Sequence, residues 1–178
     1  ATRMPAMAIL PTPDGLSHPA MAVMLEALDF YDFLFSTYCG YDDGSFIQIV
    51  ALRDRADMRR LFSAPGATEY VLRTIAADET GSLVQRWRFL DRNRQVIGES
   101  DDLDPGYDPR RRPWYIRAQN ETTAFYTRPY AFSSTKLPGI TCAEQLTGGG
   151  GVFGADITLD RFTRSLERQK ISDRGKLF

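Results

Sequence analysis

The sequence YDPRRRPWY, residues 107–115, brings a cation, aromatic rings and phenols together in one short segment. Arg112 offers a planar fork of five N–H donors, a shape that suits a carboxylate. Tyr107, Trp114 and Tyr115 offer flat apolar surfaces with polar tips. Such a combination is typical of a wall that encloses a small organic ion, and it predicts a ligand-binding segment.

Two interpretations of this segment stay open on residue types alone. Pro113, directly after Arg112, predicts the first turn of a short helix, whose backbone N–H groups would point toward a bound anion. The other interpretation is a basic, solvated loop followed by an aromatic-rich helix that packs into the core. The rest of the sequence is needed to choose between them.

Length and charge limit the possible functions. The chain has 178 residues, the usual size of one domain with its own core. Its 22 basic and 23 acidic residues give a formal net charge of −1, so no sustained positive field favours nucleic acid. The most apolar region, residues 20–35, is interrupted by Glu26, Asp29 and Asp32, and therefore does not predict a membrane-spanning helix.

The pattern of apolar and turn residues predicts an α+β chain with a mainly antiparallel sheet. Residues 1–16 contain three prolines and predict an irregular lead-in. Three- and four-residue spacing predicts an amphipathic helix over residues 20–35. Asp42-Asp43-Gly44 predicts a hairpin turn between strands at 36–41 and 45–53. Further strands are predicted at 69–76, 83–91, 95–99, 131–134, 139–146 and 151–157, and short helices at 55–62, around Trp114 and at 160–169.

The nucleophilic and metal-binding residues are too few for the common catalytic sites. His18 is the single histidine and stands beside Pro19 near a predicted helix start, which argues against a histidine-based triad and leaves no histidine-rich metal site. Cys39 and Cys142 lack the spacing of a zinc or redox motif, and we expect both to be free thiols on strands of one sheet. No hydrolase, metalloprotease or dinucleotide-binding motif is present. We expect no catalytic residue, metal or cofactor in this segment, and an enzyme of unknown class is the weaker alternative.

Two further clusters have ordinary structural interpretations. The acidic cluster of residues 99–108 lacks the ligand spacing of a calcium loop, and it predicts a solvated loop. Its members are Glu99, Asp101, Asp102, Asp104 and Asp108. The four glycines 148–151 lack the Lys-Ser/Thr ending of a phosphate-binding loop, and they predict a hairpin tip.

Four pieces of the sequence, in this order, resemble the double Cache sensor domains, which are PAS-like extracytoplasmic modules of bacterial receptors. They are residues 107–115, Arg128-Pro129-Tyr130 with Phe132-Ser133-Ser134-Thr135, Pro138-Gly139-Ile140-Thr141, and Gly151 to Asp160. Residues 40–46 and 86–91 also fit, particularly members of the family fused to class III nucleotide cyclases. The resemblance covers residues 17–170.

The resemblance implies a fold and a setting. Residues 17–170 are expected to form the membrane-distal PAS-like Cache module, with a central antiparallel sheet flanked by helices. Residues 171–178 are expected to start a linker to a proximal module that lies outside this chain. The parent is expected to be an inner-membrane signal-transduction protein with a nucleotide cyclase or histidine kinase output, whose sensor domain is periplasmic.

The resemblance also implies the residues of a ligand site. Many similar domains bind free amino acids through a Tyr, an Arg five residues later, a Trp-Tyr pair, a later Tyr and acids that bind the ammonium group. The matching positions here are Tyr107, Arg112, Trp114, Tyr115, Tyr130 and Asp156. Phe132 departs from the pattern, because it stands where amino-acid binders usually carry a second acid.

Several ligands stay open as a result. An amino acid, a simple carboxylate or an amine could each be the partner, and Phe132 would narrow the ammonium end. We expect Arg110 and Arg111 to point away from the site, and a ligand to close residues 107–115 over the sheet. A PAS-like dimerisation or interaction module without a ligand is the alternative, and the helix at 20–35 could then support a homodimer.

Overall fold

The computed structural model describes residues 10–12, 15–102 and 106–168. The predicted lead-in lies largely outside the described residues, and the predicted linker at 171–178 lies entirely outside them. The strands are β1 (Ser36–Tyr41), β2 (Phe46–Ala51), β3 (Tyr70–Ala77), β4 (Leu83–Leu90), β5 (Val96–Asp102), β6 (Phe125–Tyr126), β7 (Tyr130–Ala131), β8 (Pro138–Gln145) and β9 (Gly151–Thr158). The helices are α1 (Met21–Phe30), α2 (Ala56–Leu61), α3 (Pro113–Ala118) and α4 (Leu159–Arg168), and a 3-10 turn, Pro109–Arg111, precedes α3.

The described strands form one antiparallel sheet in the order β5-β4-β3-β2-β1-β9-β8-β6, and β7 also pairs with β8. Strands β1 to β5 follow one another as a meander. Strand β9 then returns to pair with β1, where Ser36 lies opposite Asp156. This pairing joins the two halves of the chain at the centre of the sheet. The α+β prediction is confirmed.

One face of the sheet packs against α1. Side chains alternate between the two faces of a strand, so every second residue of β1, β2 and β3 points toward this helix. The helix contributes Met24 and Leu28, both fully buried. The sheet residues of this core include Cys39, Tyr41, Ile47, Ile49, Leu72, Ala155 and Ile157.

The opposite face carries two separate apolar clusters. The first lies under α3 and includes Tyr38, Phe46, Ile75, Trp114, Tyr115, Ala143 and Val152. The second lies near α2 and includes Phe35, Val50, Met58, Val71, Phe89 and Phe132. Polar side chains occupy the region of the sheet between the two clusters, and they form the site described below.

The first helix is shorter than its apolar spacing predicted. It ends at Phe30, and Tyr31 already has an extended backbone, with φ −104° and ψ 97°. Arg53 explains the early end, because its guanidinium donates hydrogen bonds to the carbonyls of Leu28 and Leu34, among others. A guanidinium that binds the last carbonyls of a helix satisfies acceptors that the helix itself leaves unpaired.

Two other local predictions were wrong. The strand expected at 131–134 is limited to β7, because the chain turns at Ser133 and Thr135. Part of the acidic cluster expected as a loop, namely Glu99, Asp101 and Asp102, instead belongs to β5, where Glu99 and Asp101 lie opposite arginines of β4. Asp108 precedes the 3-10 turn, and Asp104 lies outside the described residues. Arg88 and Glu99 form a salt bridge at 3.6 Å, and Arg86 and Asp101 form one at 3.1 Å. These cross-strand pairs explain why acidic residues occupy a strand here.

The two cysteines are free, as expected. Cys39 lies on β1 and Cys142 on β8, and β9 runs between these strands. Two strand spacings separate their backbones by about 10 Å, which is beyond the reach of a disulfide. Among the described helices, none has the length and apolarity to cross a bilayer.

Two glycines let other groups approach the sheet closely. A Cβ atom on Gly40 would lie 2.7 Å from both Pro109 Cβ and Trp114 Cη2. A Cβ atom on Gly154 would lie 2.2 Å from the Tyr38 ring. Gly40 therefore sets how closely α3 docks, and Gly154 allows the Tyr38 ring to lie across β9.

We predict that Gly40→Ala lowers the free energy of unfolding by about 1 to 3 kcal/mol, because the proline and indole rings cannot move aside as a flexible chain would. Urea denaturation measures this loss. Gly66→Ala is the matched control, since nothing lies within 4 Å of its added Cβ atom. Equal stability of the two variants would contradict the close docking of α3.

Candidate ligand-binding site

A row of long side chains crosses the sheet between the two apolar clusters. Tyr38 on β1 lies opposite Gln48 on β2, Gln48 lies opposite Arg73 on β3, and Arg73 lies opposite Trp87 on β4. Directly paired residues of neighbouring strands point to the same face. The sheet register therefore aligns these four residues, although they come from distant parts of the sequence.

A buried carboxylate lies at one end of this row. Asp156 Oδ1 accepts hydrogen bonds from the Tyr38 hydroxyl at 2.7 Å and from Thr141 Oγ1 at 2.6 Å. Its Oδ2 accepts a hydrogen bond from Ser36 Oγ at 2.9 Å. Asp156 is only 4% exposed, and within the described ranges no arginine, lysine or histidine forms an ion pair with it. The carboxylate thus has three neutral donors and lacks a cation among these residues.

Burial sets the ionisation of this group. It raises the pKa of Asp156 to about 6, although the hydrogen bonds from Thr141, Tyr38 and Ser36 lower it. Burial, followed by the charge of Asp156, raises the pKa of Tyr38 well above its usual value, so this phenol stays a neutral donor. Asp156 is therefore largely ionised at neutral pH and is an incompletely compensated buried charge, which favours a bound cation.

A second tyrosine extends the network at this end. The Tyr130 hydroxyl donates to Thr141 Oγ1 at 2.7 Å, because the single Thr141 hydroxyl proton is donated to Asp156. Burial and the nearby charge of Asp156 raise the pKa of Tyr130 to about 12. On the other side, Gln48 Nε2 donates to Ser36 Oγ at 3.2 Å. The polar groups around the carboxylate are thus held by one another.

Two arginines lie toward the other end of the row: Arg73, which belongs to it, and Arg112, which precedes α3. The Arg112 guanidinium carbon lies 5.5 Å from the centre of the Tyr107 ring, and the Arg73 guanidinium carbon lies 4.3 Å from the same ring. Arg73 Nε also donates to Gln85 Oε1 at 2.7 Å. Arg112 is half-buried, and its guanidinium forms no hydrogen bond or ion pair with any described residue. Its donors are available to an anion.

The Tyr107 ring lies between these charges. Burial raises the pKa of its hydroxyl, while the nearby Arg73 and Arg112 lower it, and the net direction is upward. The ring also packs against Phe46, with ring centres 5.0 Å apart. Tyr107 is consequently a neutral aromatic surface for the two guanidinium groups.

One narrow cavity joins the two ends. It is lined by Tyr38, Gln48, Arg73, Tyr107, Arg112, Trp114, Tyr130, Phe132, Ser133, Ser134 and Asp156. Its volume is about 20 Å³, which is room for one or two water molecules. A larger molecule therefore fits only when some of the lining side chains move outward.

Six of the seven site residues predicted from the sequence line this cavity. They are Tyr107, Arg112, Trp114, Tyr130, Phe132 and Asp156. Their binding of a ligand stays a prediction. Tyr38, Gln48 and Arg73 could not be predicted from the sequence, because their shared position depends on strand register.

Tyr115 does not line this cavity. Its hydroxyl donates to Asp42 at the β1–β2 hairpin, and its ring packs edge-on against Trp114. Successive helix residues point about 100° apart, so Trp114 and Tyr115 cannot face the same space. Tyr115 instead joins α3 to the β1–β2 hairpin through its hydrogen bond to Asp42. The prediction that Tyr115 lines the cavity was wrong.

The segment that carries Arg112 lies flat against the sheet. Trp114 is only 2% exposed, and its ring centre lies 4.8 Å from that of Tyr38. Arg110 pairs with Asp108 at 2.9 Å, and Arg111 is exposed. Arg110 and Arg111 thus both point away from the cavity, as expected.

Phe132 closes the cavity beside Tyr130 and also belongs to the second apolar cluster. Its ring lies parallel to that of Phe35, with ring centres 6.2 Å apart, and meets the Tyr130 ring edge-on at 5.4 Å. It is 4% exposed. A second acid at this position would be buried against Phe35, and it would add negative charge near Asp156.

Neither a metal site nor a histidine switch is evident in the structure. Metal-ligating side chains form no cluster of three or more within the described ranges. His18 Nδ1 accepts a hydrogen bond from the Ala20 N–H, and its Nε2 lies 2.9 Å from the Tyr41 hydroxyl. His18 thus orders the start of α1 on the opposite face of the sheet.

The chain has several curated relatives by sequence, while no family model matches it. Adenylate cyclase 1 of Rhizobium meliloti is 30% identical over 166 residues, which is 93% of this chain and 25% of the cyclase. The methyl-accepting chemotaxis protein McpB of Bacillus subtilis is 35% identical over 91 residues, 49% of this chain and 13% of that protein. The chain thus spans a quarter or less of the length of these two relatives.

A solved structure gives the fold. The ligand-binding domain of the Campylobacter jejuni chemoreceptor Tlp3, in complex with L-valine, matches with a TM-score of 0.51 and 15% identity. The match covers 90% of this chain and 48% of that domain. Likeness at this identity concerns the arrangement of strands and helices, and it agrees with the expected architecture. The chain therefore has the Cache fold, the PAS-like α+β fold of bacterial chemoreceptor sensory domains.

Proposed function

We propose that this domain senses a small molecule that carries both an ammonium group and a carboxylate, of which an α-amino acid is the simplest example. The strongest support is that one cavity contains an acidic and a basic group, each without an oppositely charged partner among the described residues. Asp156 is a buried carboxylate without a cation among the described residues, and Arg112 has guanidinium donors that no described residue uses.

A zwitterion would satisfy both groups at once. Its ammonium group would form a charge-assisted hydrogen bond with Asp156 and contact the faces of the neighbouring tyrosine rings. Its carboxylate would accept hydrogen bonds from Arg112, whose planar fork binds such a group with two parallel bonds. The desolvation cost of the buried Asp156 charge, present in the free domain, would be offset by the ligand.

The structural neighbour adds support of a more general kind. The Tlp3 domain of similar fold is described in complex with L-valine. Phe132 lies beside Tyr130, and among the described residues that line the cavity Asp156 is the single acid. A related amine or short carboxylate would use only one end of the cavity, and it is the second ligand class to test.

Ligand entry would require movement of the segment over the cavity. The present volume is too small for an amino acid, so residues 107–115 and the Ser133–Ser134 turn would have to move outward before closing on the ligand. A ligand influences an output only if it favours one of two arrangements. Asp156 lies on β9, which leads directly into α4 at Leu159, and this connection would carry the change away from the site.

The parent protein is part of the same proposal. We infer a membrane-anchored receptor with this domain on the extracytoplasmic side and a cytoplasmic nucleotide cyclase output. The cyclase of Rhizobium meliloti, similar along 93% of this chain, supports that output. The chemotaxis protein McpB supports a chemoreceptor output as the second candidate, over 49% of the chain.

A ligand-free dimerisation module is the competing function. The exposed apolar residues of α1 and its end favour it, since Phe30 is 80% exposed and Val23 and Tyr31 are 40% and 45% exposed. Such a module would not need the buried charge at Asp156. A thermal-shift screen of amino acids, amines and short carboxylates separates the two functions, because a ligand at 100 times its Kd stabilises a domain by about 2.7 kcal/mol.

We predict that Arg112→Ala weakens the binding of an amino-acid ligand by about 10- to 100-fold, because it removes charge-assisted bonds that contribute about 1.5 to 3 kcal/mol. Isothermal titration calorimetry measures the change in Kd. Arg111→Ala is the matched control, since Arg111 is exposed on the same turn. Equal affinity of the two variants for the ligand would exclude Arg112 as its carboxylate partner.

We also predict that amino-acid affinity rises with pH between 5 and 7.5. The raised pKa of Asp156, about 6, leaves its carboxyl mostly protonated at pH 5 and mostly ionised above pH 7. Neither charged group of an α-amino acid titrates in this window, so affinity should increase about tenfold as Asp156 gains its charge. Calorimetric titrations at several pH values measure this profile.

Two controls identify the group that titrates. Asp156→Asn should bind the amino acid weakly and with no rise over the same pH range. A ligand with a carboxylate but no ammonium group should bind wild-type protein less tightly as pH rises, because it gains a nearby negative charge. A rising profile that persists in Asp156→Asn would contradict the assignment.

A further inference from the structure

We propose that a cleft beside the cavity binds the side chain of the ligand, and that the domain therefore prefers ligands with an aromatic side chain. This inference rests on the proposed function, because it says where the side chain of an amino acid would lie when its charged groups are bound in the polar cavity. It concerns the face of β3 and β4 near the end of α2, away from Asp156.

The cleft adjoins the cavity. Its volume is about 410 Å³, which lies within the usual range of ligand pockets. Four residues line both spaces and form the boundary between them: Arg73, Tyr107, Ser133 and Ser134. A molecule whose charged head lies in the cavity would therefore extend past this boundary into the cleft.

The floor of the cleft is aromatic. Phe62, Trp87 and Phe89 line it, and the rings of Phe62 and Trp87 are 5.6 Å apart at a tilt of 49°. Phe62 and Trp87 are half-buried, so parts of both rings face the open space. Rings arranged in this way accept another ring in edge-to-face or offset contact.

Arg73 places a positive charge at the boundary between the cavity and the cleft. Its guanidinium carbon lies 5.0 Å from the Trp87 ring centre and 4.3 Å from that of Tyr107. The hydrogen bond from Arg73 to Gln85 fixes its position between the two rings. A ligand carboxylate bound by Arg112 would lie on the cavity side of this cation, and the adjoining apolar group would lie on the Trp87 side.

The difference in volume between the cavity and the cleft indicates which amino-acid side chains the domain would prefer. The cavity of about 20 Å³ has no room for a side chain, whereas the cleft of about 410 Å³ has room for a ring. Glycine or alanine would leave the aromatic floor in water. An aromatic amino acid would cover it, and each buried apolar group strengthens binding.

The experiment compares L-phenylalanine with L-alanine by calorimetry on the wild-type domain and on Phe62→Ala. Phe62 lines the cleft but not the cavity, so its removal tests the side-chain contact alone. We expect wild type to bind phenylalanine at least about tenfold more tightly than alanine. Phe62→Ala should lose most of this preference, with alanine affinity changed less than about twofold. Phe30→Ala, at an exposed aromatic on the other face, is the control.

Trp87→Leu repeats the test in case Phe62→Ala fails to fold, and circular dichroism checks the folding of each variant. Equal affinity of wild type for phenylalanine and alanine, or a preference unaffected by both variants, would overturn the inference and leave the proposed function intact. Failure of wild type to bind any amino acid, amine or short carboxylate would overturn the proposed function, and this inference with it.

Discussion

One buried carboxylate connects three neighbouring strands of the sheet. Asp156 on β9 binds Ser36 and Tyr38 of β1 and Thr141 of β8, each through a hydroxyl donor. An ionised carboxylate in a protein interior is costly unless hydrogen bonds and a counter-charge compensate it. The three hydroxyls supply the hydrogen bonds, and no described residue supplies the counter-charge. The proposed ligand would supply this missing counter-charge.

The apolar clusters make this polar site possible. Each cluster packs one part of the sheet face, under α3 and near α2, and the polar row lies in the space between them. The contacts of Phe35, a member of the second cluster, extend to α4. The Phe35 N–H donates to the Asp156 carbonyl at 2.8 Å, the Phe35 ring is stacked against Phe132, and Arg161 of α4 lies 5.9 Å from the Phe35 ring centre. The cavity wall and the last helix thus share contacts through one aromatic residue.

The sequence predicted local features better than long-range ones. Asp42-Asp43-Gly44 identified the first hairpin, because turn residues between apolar strands act locally. Ser36 and Asp156 are paired across 120 positions, and no local pattern shows that register. Helix α1 was predicted too long because its carbonyl partner, Arg53, comes from a later loop.

The same distinction applies to the site. Family resemblance indicated Arg112 and Asp156, whereas Arg73 and Gln48 became visible only through strand pairing. The misplaced Tyr115 has a simple cause. The resemblance treated the Trp-Tyr pair as one unit, although helix geometry turns its two members to different sides.

The titration of the Asp156 carboxyl carbon by 13C NMR tests the central claim most directly. In the free domain its midpoint should lie near pH 6, where burial places the pKa. Saturating L-phenylalanine should lower the midpoint by at least about one pH unit, because a nearby ammonium group favours the ionised form. 3-Phenylpropanoate, which lacks that group, should not lower it. A midpoint that stays unchanged when L-phenylalanine binds would contradict the account, because the ammonium group would then lie elsewhere.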